Sequence, residues 1–164
     1  MKKSILDLGC IALFIGSSLF AGSLSDEIIE TKHNKELTLG ELAEIQPGLG
    51  TVMIEFGHRY YISYYAANAR NWDLAKYELE ELIEAQEIAE ATRPKYAKDL
   101  KNFEDGALAK LIEAIDAKNW TLFEKRYEET TKACNACHRA NGHGYIHYQL
   151  PKTAPKYLKM ELSK

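Results

Sequence analysis

Cys134-Asn135-Ala136-Cys137-His138 places two thiols and an imidazole within five positions, near the end of a chain of 164 residues. Four chemistries use such a set: a disulfide, a zinc site, a redox-active dithiol and covalent attachment of a haem. A bridge between Cys134 and Cys137 would close a very small loop and remove little entropy from the unfolded chain. A zinc site could add His143 and His147, but the gap between the cysteine and histidine pairs is much shorter than in a zinc finger, and a helical domain of this size needs no structural metal. A thioredoxin-like dithiol sits beside a βαβ unit, and no such pattern is present. Cys-x-x-Cys-His is also the attachment signature of c-type haem. Thiols about one helical turn apart match the two vinyl groups on one porphyrin edge, where each adds to form a thioether, and the adjacent imidazole can bind iron from the proximal side.

The N-terminus favours the haem reading. The basic start Met-Lys-Lys is followed by an apolar run from Ile5 to Phe20, interrupted by Asp7, and then by Ala21-Gly22. This is the pattern of a secretory signal peptide over residues 1–21, cleaved after Ala21, so no membrane span remains after cleavage. Cys10 is then removed, and Cys134 and Cys137 remain in an oxidising compartment, which for this pattern is the periplasm. The formal net charge is −3. Neither a basic patch nor a glycine-rich phosphate loop points to nucleic acid or nucleotide.

Helices must position the motif. Residues 22–50 read as a polar lead-in with at most a short helix, closed by the turn signal Pro47-Gly48-Leu49-Gly50. From residue 51 the apolar spacing is helical. Met53, Phe56, Tyr60, Tyr64 and Ala67 form one stripe, with Glu55, Arg59, Ser63 and Arg70 on the polar side. Ala75, Leu79, Leu82, Gln86 and Ala89 form the second stripe. Pro94 opens a third helix with Leu100, Phe103, Ala107, Leu111 and Ala114, weakened at Gly106. Thr121 and Glu124 read as the capping box of a fourth, with Phe123, Tyr127, Thr130, Cys134 and His138 on one face. Asn71-Trp72 and Asn119-Trp120 recur at the two hairpin breaks, each Trp suited to plug a hairpin end. The expected fold is all-α: an antiparallel four-helix bundle over 51–141 with the haem motif on the last helix, and a non-helical tail over 142–164 that contains Pro151 and Pro155. No strand pattern competes.

A Cys-x-x-Cys-His on the last helix of such a bundle resembles the class II cytochromes c, the family of cytochrome c′ and its low-spin relatives, over about residues 50–141. The resemblance implies one covalent haem c, with Cys134 and Cys137 at the thioether positions and His138 as proximal ligand. It also implies that the first helix faces the other side of the iron. Met53 lies in the first turn of that helix, where the low-spin relatives place their methionine, and on a helical wheel it falls mid-face among Phe56, Tyr60 and Tyr64. His58 is the rival distal ligand, about 140° away on the wheel. His143 and His147 are more distant candidates, and an open site is the remaining alternative. The family's last helix runs on past the motif, whereas Asn141-Gly142-His143-Gly144 breaks it here.

The expected function is single-electron transfer between periplasmic redox partner proteins, without enzymatic activity of the chain's own, since no acid–base pair or nucleophile stands out. The alternative is a cytochrome c′-like protein that binds nitric oxide or carbon monoxide at an open or displaceable distal site. The family resemblance allows a homodimer through the first two helices.

Overall fold

The computed structural model describes residues 23–30, 32 and 36–161; the expected signal peptide and Cys10 lie outside them. The chain divides into two compact units, one ending at Ile45 and the other running from Gln46 onward.

In the first unit a short 3-10 turn, Leu24–Asp26, leads to β1 (Ile28–Glu30), which pairs antiparallel with β2 (Glu36–Thr38), Ile29 opposite Leu37. A short helix, α1 (Leu39–Glu44), follows. Its start is a complete capping box: Glu41 N–H donates to Thr38 Oγ1 at 3.1 Å, and Thr38 N–H donates to Glu41 Oε2 at 2.9 Å. The strands correct the expectation of a strand-free chain. At three residues each they are too short for a period of two to register in the sequence.

The second unit is built from α2 (Leu49–Asn68), α3 (Trp72–Thr92), α4 (Pro94–Phe103), α5 (Ala109–Asp116) and α6 (Trp120–Ala140). The residues between α4 and α5, Glu104–Leu108, form a π-helical turn with Gly106 at its centre. The expected weak point is therefore a widened turn in a continuous helical rod, and Thr130 Oγ1 donates to its Ala107 carbonyl at 3.3 Å. α2 packs along α3 and also meets α6, while α5 packs on both α3 and α6. The described residues are mostly helical, in an all-α second unit, and no helix among them is long and apolar enough to cross a membrane.

The apolar stripes do form the core: Phe56, Tyr60, Leu79, Leu82, Leu111, Phe123 and Tyr127 are all buried within it. Ser63 is a correction, because it is fully buried rather than on the polar side. Its hydroxyl donates back to the Tyr60 carbonyl at 2.8 Å, which satisfies it without a partner from another helix. Of the remaining polar positions, Arg59 is half-buried and ion-paired to Glu55 at 2.7 Å and Glu78 at 3.2 Å.

The Asn-Trp repeat is structural. Arg70 and Lys118 take positive φ (63° and 48°), and the following asparagine N–H groups bond five residues back, to Ala66 O at 2.9 Å and Ala114 O at 3.2 Å. Those two closures end α2 and α5 in the Schellman manner. Asn71 and Asn119 then cap the next helix, accepting from Leu74 N–H at 3.2 Å and Leu122 N–H at 3.1 Å. The cap of α6 is thus Asn119, not the expected Thr121–Glu124 box. Asn offers both a C-terminal turn and an N-cap at one position, and so outcompetes a box two residues later.

Candidate cofactor site

α6 ends two residues past the motif, at Ala140. Gly142 takes φ 79°, His143 N–H donates to His138 O at 2.7 Å, and Gly142 N–H donates to Arg139 O at 3.2 Å. A glycine at this left-handed position costs no Cβ clash, so the chain reverses at once after His138. The tail then runs back over α2 and α6 without regular structure. Tyr65 and Tyr61 on α2 donate to its carbonyls at Pro151 (2.7 Å) and Thr153 (2.8 Å), and Asn71 donates to Met160 O at 3.0 Å. Met160 is buried there, in the core. The tail is thereby part of the packed unit.

Between α2, α4, α6 and the tail lies a cavity of about 770 Å³. That volume lies within the range of sites that enclose a cofactor. Leu49, Ile54, Phe56, Tyr96, Leu100 and Phe103 give it an apolar lining, and Tyr145–Gln149 of the tail close one side. Cys134, Cys137 and His138 all border this cavity, and so does Met53, which lies in the second turn of α2 because that helix starts at Leu49. His143 and His147 border it as well. His58 is not among its lining residues; its Nε2 hydrogen-bonds the Tyr157 hydroxyl on the tail. The structure thus brings together the two cysteines, His138 and Met53, and leaves His58 apart.

The two thiols differ in surroundings. Burial, with the neighbouring Cys137 second, pushes the Cys134 thiol up to about 12. Cys137 is also raised, by burial first and by Asp99 second, while Asn141 opposes the shift by donating to its sulfur at 3.6 Å. A buried neutral thiol is slow to oxidise and to exchange. His138 Nδ1 lies 3.0 Å from the Ile146 carbonyl oxygen. A carbonyl can only accept, so Nδ1 carries a proton, and in the neutral imidazole Nε2 then keeps its lone pair. That tautomer is the one a metal-binding imidazole uses when a backbone carbonyl orients it.

Two features of the site escape sequence reasoning. Gln86 borders the cavity and is fully buried; its Nε2 donates to Leu100 O and to Glu90 Oε1, both at 3.0 Å, while its Oε1 has no partner among the described residues. In the sequence it reads only as a member of the second stripe. Asn135, at a variable position of the motif, is buried and exchanges two hydrogen bonds with the backbone of Tyr148. Nothing in the spacing predicts that pair, because its partner lies in a tail without periodicity.

Among the described residues, no group of three or more His, Cys, Asp or Glu is arranged to hold a metal ion by itself, which leaves the Cys134, Cys137, His143 and His147 zinc set without a formed site. No protein-family model matches this chain, and neither a curated protein nor a solved structure matches it.

Proposed function

We propose that this chain is an exported, periplasmic monohaem c-type cytochrome that passes single electrons between redox partner proteins and has no catalysis of its own. The observation that carries the reading is that Cys134, Cys137, His138 and Met53 border one largely apolar cavity of about 770 Å³. The donor set fits the group: two thiols one turn apart for the thioethers, an imidazole with a free Nε2 for the iron, and a thioether from the facing helix. On this reading α2, α3, the α4–α5 rod and α6 form an antiparallel four-helix bundle of the class II cytochrome c kind, in which Met53 is the distal ligand and His58 the rival. Bound haem would supply the one-electron couple of its iron. The chain's own part is to fix the ring between α2 and α6, exclude water with the apolar lining, and present a docking surface.

Met53 is only partly buried where it borders the cavity, and Gly50, three residues before it and also on the cavity edge, is exposed, which supports a second reading. A distal methionine on so open a side would be displaceable, and the protein would then bind nitric oxide or carbon monoxide.

Mass spectrometry of the exported protein tests the proposal. With a working haem-attachment system the mature chain should gain the mass of one haem, and replacing Cys134 and Cys137 together by Ala should abolish the gain. An unmodified chain would overturn the reading.

A further inference from the structure

The motif and the tail are locked together at one point. Asn135 Nδ2 donates to Tyr148 O at 3.0 Å, and Tyr148 N–H donates to Asn135 Oδ1 at 2.7 Å. The side-chain amide thus satisfies both backbone polar groups of one residue, as a neighbouring antiparallel strand would. Asn135 is buried, so its amide has little access to water if the pair is broken. Two residues before that clamp, the Ile146 carbonyl accepts from His138 Nδ1. The Tyr148 hydroxyl adds a third tie, at 2.9 Å from the Tyr127 hydroxyl within the core. Ile146 itself is half-exposed at the cavity edge, and its N–H donates to His143 O at 2.8 Å.

We propose that Asn135 is a positioning residue for His138. By pinning the tail at Tyr148 it holds the Ile146 carbonyl on Nδ1, fixes the imidazole as the tautomer with Nε2 free, and strengthens that nitrogen as a donor. A variable position of the attachment motif thereby acquires a role through a segment beyond the motif. The proposal deepens the haem reading and rests on it for donor strength; the clamp and the tautomer stand on the chain alone. Outer partners of this kind hold a ligating imidazole in orientation and raise its basicity.

The tests use the full exported chain. In Asn135→Ala, hydrogen exchange across the segment 145–149 should accelerate by about tenfold or more, the loss expected when two buried hydrogen bonds go. The midpoint potential should rise, because a weaker Nδ1–H bond makes the imidazole a poorer donor and the ferric state loses more than the ferrous. Asn135→Asp keeps the acceptor for Tyr148 N–H and loses the donor to its carbonyl, so it should fall between the two. Tyr65→Phe loosens the tail at Pro151 without touching Asn135, and should leave the potential where it was. If Asn135→Ala frees the tail and the potential does not move, Asn135 is only a structural tie and the proposal is wrong. If exchange at 145–149 is unchanged, the clamp itself is wrong. A chain that takes up no haem would end the reading of function but not this test: ring nitrogen NMR shifts of His138 should still show a single Nδ1–H tautomer that becomes a mixture in Asn135→Ala, and a mixture already present in the parent chain would overturn the proposal.

Discussion

Tyr60 on α2 and Tyr127 on α6 bind each other's backbone. The Tyr60 hydroxyl donates to Tyr127 O at 2.6 Å, the Tyr127 hydroxyl donates to Tyr60 O at 3.1 Å, and the rings stack with centroids 4.1 Å apart. Both carbonyls also belong to helix ladders; Tyr127 O gives its second lone pair to the Tyr60 phenol, whereas Tyr60 O is shared by the ladder, the Ser63 hydroxyl and the Tyr127 phenol, which makes the last bond the longer one. The pair fixes the depth at which α2 lies against α6, and hence the separation of Met53 from the cysteines across the cavity. Tyr60→Phe and Tyr127→Phe should each destabilise the fold by about 1 kcal/mol, the net worth of a buried hydrogen bond, since each carbonyl keeps its ladder partner. The double substitution should cost less than the sum, because each single change already misaligns the stack. Denaturant unfolding of the four proteins checks this, and strict additivity would mean that the two phenols act independently.

The two hairpin turns offer a graded comparison. Asn119→Ala removes one cap from α6 and should cost about 1 kcal/mol. Asn71→Ala should cost more, since Asn71 caps α3 and also donates to the Met160 carbonyl of the tail. The residues before them favour the opposite change. Lys118 holds a left-handed backbone at the expense of its Cβ, so Lys118→Gly should be neutral or stabilising by up to about 1 kcal/mol. Arg70 has the same backbone, but its guanidinium lies 5.1 Å above the Trp120 ring, so Arg70→Gly should gain less. Thermal melts of the four variants would show the order.

How far the sequence reaches is visible in those turns. The helix stripes are legible because burial repeats with the helical period, and Ala75, Leu79, Leu82, Gln86 and Ala89 are all buried as their spacing predicts. The cysteine–histidine set is legible because covalent chemistry demands fixed spacing. Capping is less so, since Asn119 and Thr121 both satisfy the local rule and only the preceding left-handed residue selects between them. The tail is the least legible. Its hydrogen bonds run from tyrosines on α2 and an asparagine on α6 to backbone carbonyls, and a carbonyl acceptor leaves no mark in the sequence.

Alkaline pH should expose the buried tyrosines. Burial raises the hydroxyls of Tyr60 and Tyr127 far above the ordinary value, and it pushes Tyr148 up to about 12 from 10.0. An acid with a raised folded pKa releases its proton more readily from the unfolded chain. Its contribution is therefore fully present below pH 10 and is lost as pH rises through the window up to about 12. The melting temperature should stay flat through the tyrosine-neutral range and fall steeply above about pH 10. Tyr148→Phe should lower the starting stability and reduce the slope of that fall. A slope unchanged by the substitution would mean that Tyr148 ionises as freely in the folded protein as outside it.

Met53 decides between the two functions. It borders the cavity from the second turn of α2, as Cys134, Cys137 and His138 do from α6, whereas His58 is engaged by Tyr157 outside the lining. With Met53 as distal ligand, the oxidised protein should show the weak near-infrared sulfur-to-iron band, and Met53→Ala should remove it. The variant should turn high-spin and bind carbon monoxide readily once reduced. Thioether ligation favours the ferrous state over a second imidazole, so the parent potential should exceed that of a bis-histidine haem. His58→Ala should leave the band and the potential in place, and should weaken only the hold of the tail at Tyr157. A parent protein that is already high-spin and binds carbon monoxide or nitric oxide without hindrance would make Met53 a packing residue and give the gas-binding function precedence. Loss of the low-spin spectrum in His58→Ala alone would require the first turns of α2 to rotate when haem binds, which the packing of Phe56 and Tyr60 in the core opposes.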